Sequence, residues 1–398
     1  MKDASMFSSL IPAITTLLTL AGFGYALVAI WSARAFLRRK RIQTGFAPAV
    51  TLLKPLRGVD PGMYEAFASH CRQQYSGDYE ILFGVSTSDD PAAALVRQLQ
   101  AEFPEQKIQL ILCPESLGPN GKISVVAQLL PHAHYDYLLI NDSDIHVSPL
   151  YLARVFAPFA PSANQKPVGL VTALYHGHTH GTLGSKLESI GISTSFIPSL
   201  LAARFLERGL HFGLGSTLAV SRAALTAAFP DGLSPLAEYI ADDYQLGAHI
   251  DRAGFRVELC EEIVETSVPP YSFRGFADHQ LRWFRTLRDS RPAGYFGMVC
   301  ANLLAWAFLN LIASGLSLLS IALFSMALLL RVSIALGVGV GILDDRQVLR
   351  DLWLLLPHDL CGLALWAWSY ASDTVTWRGE TFLVQKGKLI RQTPRPAQ

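Results

Sequence analysis

Charge is scarce in this sequence. Only 16% of its 398 residues are Asp, Glu, Lys or Arg, against 51% hydrophobic residues, and the formal net charge is +1. With a mean hydropathy of +0.29, that composition argues against an ordinary soluble protein and for a membrane protein. The balanced charge points to no strongly acidic or basic partner. No long basic run interleaved with aromatics is present, so the sequence reads as having no nucleic-acid partner. Cysteine is sparse too: Cys71, Cys113, Cys260, Cys300 and Cys361 show no CxxC spacing. Neither a disulfide framework nor a cysteine zinc site is indicated, and the five read as ordinary reduced thiols.

What the chain does have is long uncharged runs. Leu10 to Trp31, "LIPAITTLLTLAGFGYALVAIW", carries no charge and matches the roughly 20 residues that a membrane helix needs. It is longer than a signal-peptide core of ~7–15 residues and its flanking charge lies on the far side, so it reads as an uncleaved anchor. Arg34, Arg38, Arg39, Lys40 and Arg41 follow it, which puts the chain after the helix in the cytoplasm by the positive-inside tendency. Pro292 to Leu330 is again uncharged, and Leu352 to Tyr370 forms another apolar block after "LDDRQVLRD". The first block is too long for one span and barely enough for two. We expect residues near 294–309 to lie in the interface or re-enter, with two true spans following. Arg378, Lys386, Lys388 and Arg391 then return the tail to the cytoplasm. The resulting layout is a membrane anchor and basic flank at 1–44, a catalytic domain at 45–291, a membrane region at 292–371 and a cytoplasmic tail at 372–398.

The middle of the chain alternates short apolar runs with helical spacing. "AVTLLKP" (49–55), "YEILFGV" (79–85), "KIQLILC" (107–113), "DYLLIN" (136–141) and "VGLVTAL" (168–174) read as strands, with amphipathic stretches such as "GMYEAFASHCRQQ" and "PAAALVRQLQAEF" between them. That order predicts an α/β, mostly parallel sheet with helices on both faces. Such sheets bind ligands beyond the carboxyl ends of their strands, which is where Asp142 and Asp144 of "NDSDIHV" fall. Two like charges two residues apart repel unless a cation neutralises them. Mg²⁺ or Mn²⁺ with phosphate oxygens would do so; a solvated turn or helix cap is the plainer alternative.

Other clusters carry similar pairs of readings. Asp89 and Asp90 in "VSTSDDPAAAL" sit at another carboxyl edge, suited either to a nucleotide's base or ribose or to capping the next helix, with Pro91 at its first position. Asp242 and Asp243 in "EYIADDYQLG" open an amphipathic helix, as caps or as a base held ionised. Arg282, Arg285, Arg288 and Arg291 with Trp283 suit a diphosphate clamp or anionic lipid. Gly213 and Gly215 in "HFGLGSTLAV" suggest a close backbone approach to a ligand or a plain turn. His176, His178 and His180 alternate as a strand-borne metal site would, but lack an adjacent acidic or cysteine partner, so a loop near an acceptor is preferred. "SIGISTSFIPSLLAARFLERG" (189–209), with Pro198 and several polar residues, reads as a membrane-surface helix or lipid groove rather than a span.

In this order the pieces resemble family 21 glycosyltransferases, the ceramide glucosyltransferase-like group of inverting enzymes with a GT-A (Rossmann-like) fold. The resemblance runs over nearly the whole chain: "LLKPLRGVDP", "DDPAAALV", "NDSDIHV", "ADDYQLG", "HQLRW" and the closing "VTWRGETFLVQKGKL". It implies a cytoplasmic GT-A domain in a multi-pass protein of the cell membrane. The implied reaction moves a hexose or N-acetylhexosamine from UDP-glucose or UDP-N-acetylglucosamine to the hydroxyl of a membrane lipid. The resemblance assigns Asp144, with Asp142, to a Mg²⁺ or Mn²⁺ ion and Asp243 to the base, supported by Asp242. Arg282 would hold phosphates and Trp283 would pack near the acceptor. Asp89, Asp90, Lys122, Gly215, His279 and Gln280 would serve nucleotide and sugar binding. Two departures stand out: the last motif usually begins with Gln or Arg where this chain has His279, and the ceramide enzymes tend to lack the acid that this chain keeps at Asp144. Both look more like the bacterial branch that attaches N-acetylglucosamine to a hopanoid polyol. A ceramide glucosyltransferase, a processive polysaccharide synthase and a non-catalytic membrane scaffold are the alternatives. A glycoside hydrolase would not carry the arginine-rich membrane edge, and a transporter would need buried ionisable pairs in the apolar segments.

Overall fold

The structure, a computed structural model, describes residues 2–39, 45–163, 165–377 and 380–391. Lys40, Arg41 and Arg378 of the basic flanks lie outside the described residues. The chain forms two compact units. One comprises Lys40–His178, Glu207–Pro269 and Gly387–Gln398, and the other Met1–Arg39, Thr179–Leu206 and Pro270–Lys386.

The first unit is built on a seven-stranded sheet. Its strands are β1 (Val50–Leu56), β2 (Tyr79–Val85), β3 (Lys107–Leu112), β4 (Tyr137–Ile140), β5 (Val168–Thr179), β6 (Leu218–Ser221) and β7 (Arg256–Val268), in the order β3-β2-β1-β4-β6-β5-β7. β1, β2, β3 and β4 are mutually parallel, whereas β6 runs antiparallel to both β4 and β5. Helices Met63–Cys71, Ala92–Glu102 and Gly121–Leu129 make the crossovers. This is the GT-A type of α/β sheet, and the β-branched and leucine runs form it because both faces are covered: β2 is buried from Glu80 to Val85.

The chain proceeds outward from β1 through β2 to β3 and then returns to lay β4 on the other side of β1. The crevice beyond the carboxyl ends of β1 and β4 is therefore the topological switch point. Leu53 of β1 pairs in register with Ile140 of β4, so Lys54 and Asn141 are the next residues at that edge. Asn141 is fully buried, and its side-chain amide lies 2.9 Å from Nε2 of His70. His70 holds its Nδ1 against the Ala66 carbonyl, and burial pushes its pKa well below the usual histidine range. That buried contact anchors the residue immediately before Asp142.

The second unit is mostly helical, with the antiparallel strands Thr374–Trp377 and Glu380–Gln385 near its end. Three of the described helical segments are long and apolar enough to cross a membrane: Leu10–Leu37, Leu183–Leu206 and Leu318–Val340. A broken pair, Pro292–Ala301 and Leu303–Ala313, bends by 55° and would make a fourth if taken as one span. Such a bend belongs either to a broken span or to a re-entrant stretch near 294–309. The later apolar block forms the turn Leu352–Leu354 running directly into the helix Leu355–Ser369, and it is not one of the three segments above.

The stretch 189–209, read from sequence as a surface helix rather than a span, differs. Its residues 189–206 belong to the continuous 24-residue helical segment Leu183–Leu206, long and apolar enough to cross a membrane. A π-turn at Ile192–Phe196 precedes Pro198, and Ile197 N–H donates to the Ile192 carbonyl. The wider turn shifts the hydrogen-bond register just ahead of the proline, so Pro198 does not end the helix.

The apolar helices also contain an ionic pair, contrary to the sequence reading. The Arg331 guanidinium meets Asp359 at 3.0 and 2.6 Å, and both residues are almost fully buried. Arg331 also donates to the Thr194 carbonyl in the π-turn at 2.7 Å. Asp359 accepts the Leu304 N–H at 3.1 Å, one of the donors that a helix start leaves without an intrahelical partner. One pair thus satisfies backbone groups on two further helices. Arg331→Met is expected to strand a buried carboxylate and cost about 3–5 kcal/mol. Thermal melting of purified protein in detergent checks this, and an unchanged melting temperature would show that the pair does not hold the unit together.

Candidate active site

The switch-point crevice gathers lysines and several carboxylates. The helix Gly121–Leu129 begins at this edge, capped by Asn120, whose side chain accepts the Ile123 N–H. The buried Asn120 also donates to Oδ1 of Asp242 at 3.0 Å and to the Tyr239 carbonyl at 3.0 Å. Lys122 follows in the first turn and lies 2.8 Å from Asp142 and 3.3 Å from Asp242. Burial opposes its charge, but Asp142 and Asp242 outweigh that cost and keep its pKa raised. Lys122 therefore stays an ammonium that ties the end of β4 to the start of helix Asp242–Arg252. Asp142 is 43% exposed where Asp242 is 10% exposed, so Asp142 has the face open to a ligand.

Asp243 is held by backbone alone. Gly215 N–H donates to Oδ2 at 2.8 Å and Tyr244 N–H to Oδ1 at 2.7 Å. Burial and Asp242 push its pKa up to about 6, with Lys122 pulling the other way. Gly215 is placed so closely that an added Cβ would lie 3.1 Å from Oδ2 of Asp142 and 3.5 Å from both Oδ2 of Asp243 and Nζ of Lys122. Gly247 on the same helix explains why the loop lies so near: a Cβ there would come within 2.4 Å of the Gly213 nitrogen and 2.5 Å of the Phe212 carbonyl carbon. Backbone cannot rotate away as a side chain can. Gly247→Ala is expected to displace the 212–215 loop and lower turnover by about 10², the usual cost of a small misplacement at a reacting site. Steady-state kinetics on folded protein check it, and wild-type turnover would detach that loop from the chemistry.

Asp144 points elsewhere. Its Oδ2 accepts from the Thr266 hydroxyl and from Ser267 N–H at 3.1 Å, both on β7. Burial first and Asp142 second raise its pKa to about 6. Lys54, missed in the sequence reading, is the other charge here: it is 0% exposed and donates to the Asp142 carbonyl at 3.3 Å. Burial lowers its pKa to about 7 against the pull of Asp144 and Asp142. A lysine inside the apolar run "VTLLKP" was the available signal, as was Asn120 ahead of a helical pattern.

A hard divalent ion fits this donor set. Asp144 is a half-buried carboxylate with no cation in hydrogen-bond contact among the described residues, and Asp142 offers a second hard oxygen from a half-exposed side chain. Among the described residues no three His, Cys, Asp or Glu side chains form a closed metal site. An ion here would therefore complete its shell with ligand oxygens and water. The alternating histidines lie at β5 and just past it. Contrary to the reading that they lack an acidic partner, Glu265 Oε2 comes within 3.6 Å of His178 and 4.0 Å of His176.

Asp90 behaves as its plainer reading has it, accepting the Ala92 N–H at 2.9 Å, and also holds Gly58 N–H at 3.0 Å in the loop after β1. Asp89 is exposed at the same edge, and a hydrogen bond from Thr87 keeps its pKa low.

The remaining predicted residues lie in the helical unit, on helix Phe273–Ser290. His279 meets Glu188 at 3.0 Å, and Trp283 packs edge-on against Phe196 at 5.5 Å. Arg285 and Arg288, open in sequence to a diphosphate or to anionic lipid, instead bond within their own unit. Arg285 donates to the Thr374 carbonyl at 2.6 Å, and Arg288 binds the Ser369 and Ser372 carbonyls and the Asp373 carboxylate. They are committed because the end of helix Leu355–Ser369 exposes carbonyls that need donors. Arg282 and Gln280 lie on the same helix.

The sequence model of glycosyl transferase family 21 matches residues 14–390. The chain belongs to this family. Ceramide glucosyltransferase 3 of Caenorhabditis elegans is 24% identical to this family 21 protein over 279 residues, covering 68% of this chain and 59% of the relative. Ceramide glucosyltransferase of Candida albicans is 32% identical over 111 residues, 25% of this chain and 20% of that one. The chain thus spans about half the length of the curated relatives it matches. A mannosyltransferase from Pyrobaculum calidifontis, solved with GDP-Man and Mn²⁺, shares the fold with a TM-score of 0.53 at 19% identity, over 90% of this chain and 99% of that one.

Proposed function

We propose that this family 21 protein is a membrane glycosyltransferase that moves a sugar from a UDP-sugar to the hydroxyl of a bilayer lipid with inversion at the anomeric carbon. The observation that carries the reading is Asp243, a carboxylate raised to about 6 and fixed by two backbone N–H groups beside the Lys122–Asp142 ion pair. Such a group is poised to accept a proton near neutral pH. In the single displacement the lipid oxygen bonds to the anomeric carbon and its proton passes to Asp243. The anomeric bond to the diphosphate breaks, and UDP departs with the electron pair. Asp242, held by Asn120 and Lys122, sets the start of the helix that carries Asp243. When bound by Asp144 with Asp142, Mg²⁺ or Mn²⁺ would stabilise charge on a diphosphate. Because Asp90 is committed to Gly58 and Ala92, we assign the nucleoside contact to Asp89, with Lys122 and Gly215 beside the sugar. Arg282, His279, Gln280 and Trp283 are assigned to phosphate and acceptor contacts.

Within this reading we favour N-acetylglucosamine and a hopanoid polyol, on the strength of Asp144 and His279; glucose and ceramide are the second choice, favoured by the named relatives. We place the catalytic domain, residues 45–291, on the cytoplasmic side of the cell membrane, because Arg34, Arg38 and Arg39 follow the first apolar helix. Incubating membranes with radiolabelled UDP-glucose or UDP-N-acetylglucosamine and either lipid identifies donor and acceptor from the labelled product. Labelled polymer in place of labelled lipid would support a polysaccharide synthase, and no label in any product would leave a scaffold.

A further inference from the structure

The C-terminal tail takes no part in the reaction above, yet it returns to the catalytic unit: Gly387–Gln398 groups with the seven-stranded sheet. Its entry is tight. Gly387 has a φ of 78°, a conformation that favours glycine, and a Cβ there would lie 3.3 Å from both Nε2 of Gln245 and Cδ1 of Tyr239. Backbone then joins backbone. Ile240 N–H donates to the Gly387 carbonyl at 3.2 Å, and Lys388 pairs with Tyr239 in an isolated antiparallel bridge. Lys388 also donates to Glu238 at 2.5 Å and lies over the Tyr239 ring at 5.5 Å. An exposed ion pair contributes little; the burial of Leu389 is the stronger anchor.

The segment that the tail grips leads directly into Asp242 and Asp243. Asn120 grips it too, donating its N–H to the Ala237 carbonyl at 2.8 Å and its side-chain amide to the Tyr239 carbonyl and to Asp242. One peptide unit carries both grips. Its carbonyl, on Tyr239, takes Asn120, and its N–H, on Ile240, takes Gly387; a trans peptide points these two groups in opposite directions. Between the turn Ser234–Glu238 and the helix Asp242–Arg252 the chain forms no regular helix or strand, so its course depends on such partners. Without the tail, that peptide would be held from one edge only.

We propose that the tail is a positioning strap for the catalytic acids: Gly387 and Leu389 clamp the peptide between Tyr239 and Ile240 against Asn120, and so fix the start of the helix that carries Asp242 and Asp243. This rests on the glycosyltransferase reading above and gives a role to a segment which that reading leaves idle.

The test uses full-length protein in detergent. Leu389→Asp puts a carboxylate in a buried position and should free the tail. Its kcat is expected to fall by about 10²-fold, the usual cost of a small misplacement at a reacting site, while the KM for UDP-sugar stays near wild type because the nucleoside contact lies at Asp89. Amide hydrogen exchange should quicken across residues 238–241 and stay slow in β2. Leu389→Ile keeps an apolar side chain and should restore both readings. Gly387→Ala leaves Leu389 in place and crowds only the close approach; it should reproduce both changes, and it decides the matter if Leu389→Asp also loosens β2. The proposal fails if turnover holds while 238–241 loosens, if 238–241 stays protected in both variants, or if donor KM rises as kcat falls. Wild type that transfers no sugar would instead overturn the reading beneath the proposal, whatever the exchange shows.

Discussion

Asp243→Asn is expected to lower sugar transfer by about 10²–10⁴-fold, the usual contribution of a general base, while UDP-sugar affinity stays near wild type. The carboxylate faces two backbone donors, Gly215 N–H and Tyr244 N–H. An asparagine can accept only one of them, because its amide nitrogen would then oppose the other donor. Melting temperature must therefore be read beside turnover, with about 1–3 kcal/mol allowed for the lost contact. The pH profile separates the effects. With Asp243 raised to about 6, turnover of wild type should fall as pH drops below about 6, since the base is then protonated. The variant should lose that acidic limb. Lys122→Met removes the charge that opposes the rise and should move the limb to higher pH. Normal turnover by Asp243→Asn would remove it from the base role.

Withdrawing divalent metal is the second large effect: turnover should stop in excess EDTA and return on adding Mg²⁺ or Mn²⁺. A reading independent of activity comes from stability. Asp144 and Asp243 are both raised from the ordinary aspartate value to about 6. Their contribution is present below the unfolded pKa and is lost as pH rises through about 6, so at neutral pH their ionisation strains the folded state. A cation at Asp144 relieves that strain. Adding metal to wild type at pH 7 should stabilise the fold by about 2.7 kcal/mol at a hundredfold excess over Kd, read as a higher melting temperature. Asp144→Asn should show little of this gain and little turnover. Full turnover in EDTA, or an equal gain in the variant, would contradict the role given to Asp144.

Local pattern carried much of the architecture. β2 begins and ends where its run YEILFGV does, at Tyr79 and Val85, because a strand buried on both faces is written mostly in hydrophobic residues. The strand–helix alternation also placed Asp142 and Asp144 at a carboxyl edge. The anchor at Leu10 was legible for the same reason, since an uncharged run of membrane length has few other uses. Pairings between distant segments were not legible. Nothing near Arg331 or Asp359 in sequence names the other, and the pair forms across 28 positions. Asp144 meets Thr266 across 122, and Asn120 meets Asp242 across the same separation. Arg285 and Arg288 were open to a diphosphate or to anionic lipid until their carbonyl partners were known. The sequence by itself determined the sheet, the apolar helices and which carboxylates stand at the strand ends, because periodicity and hydrophobicity are local properties. Tertiary structure alone decided which of those carboxylates meet a cation, Asp142 and Asp242 at Lys122, and which meet hydroxyl and backbone donors instead, Asp144 on β7, because such pairing depends on where distant side chains meet.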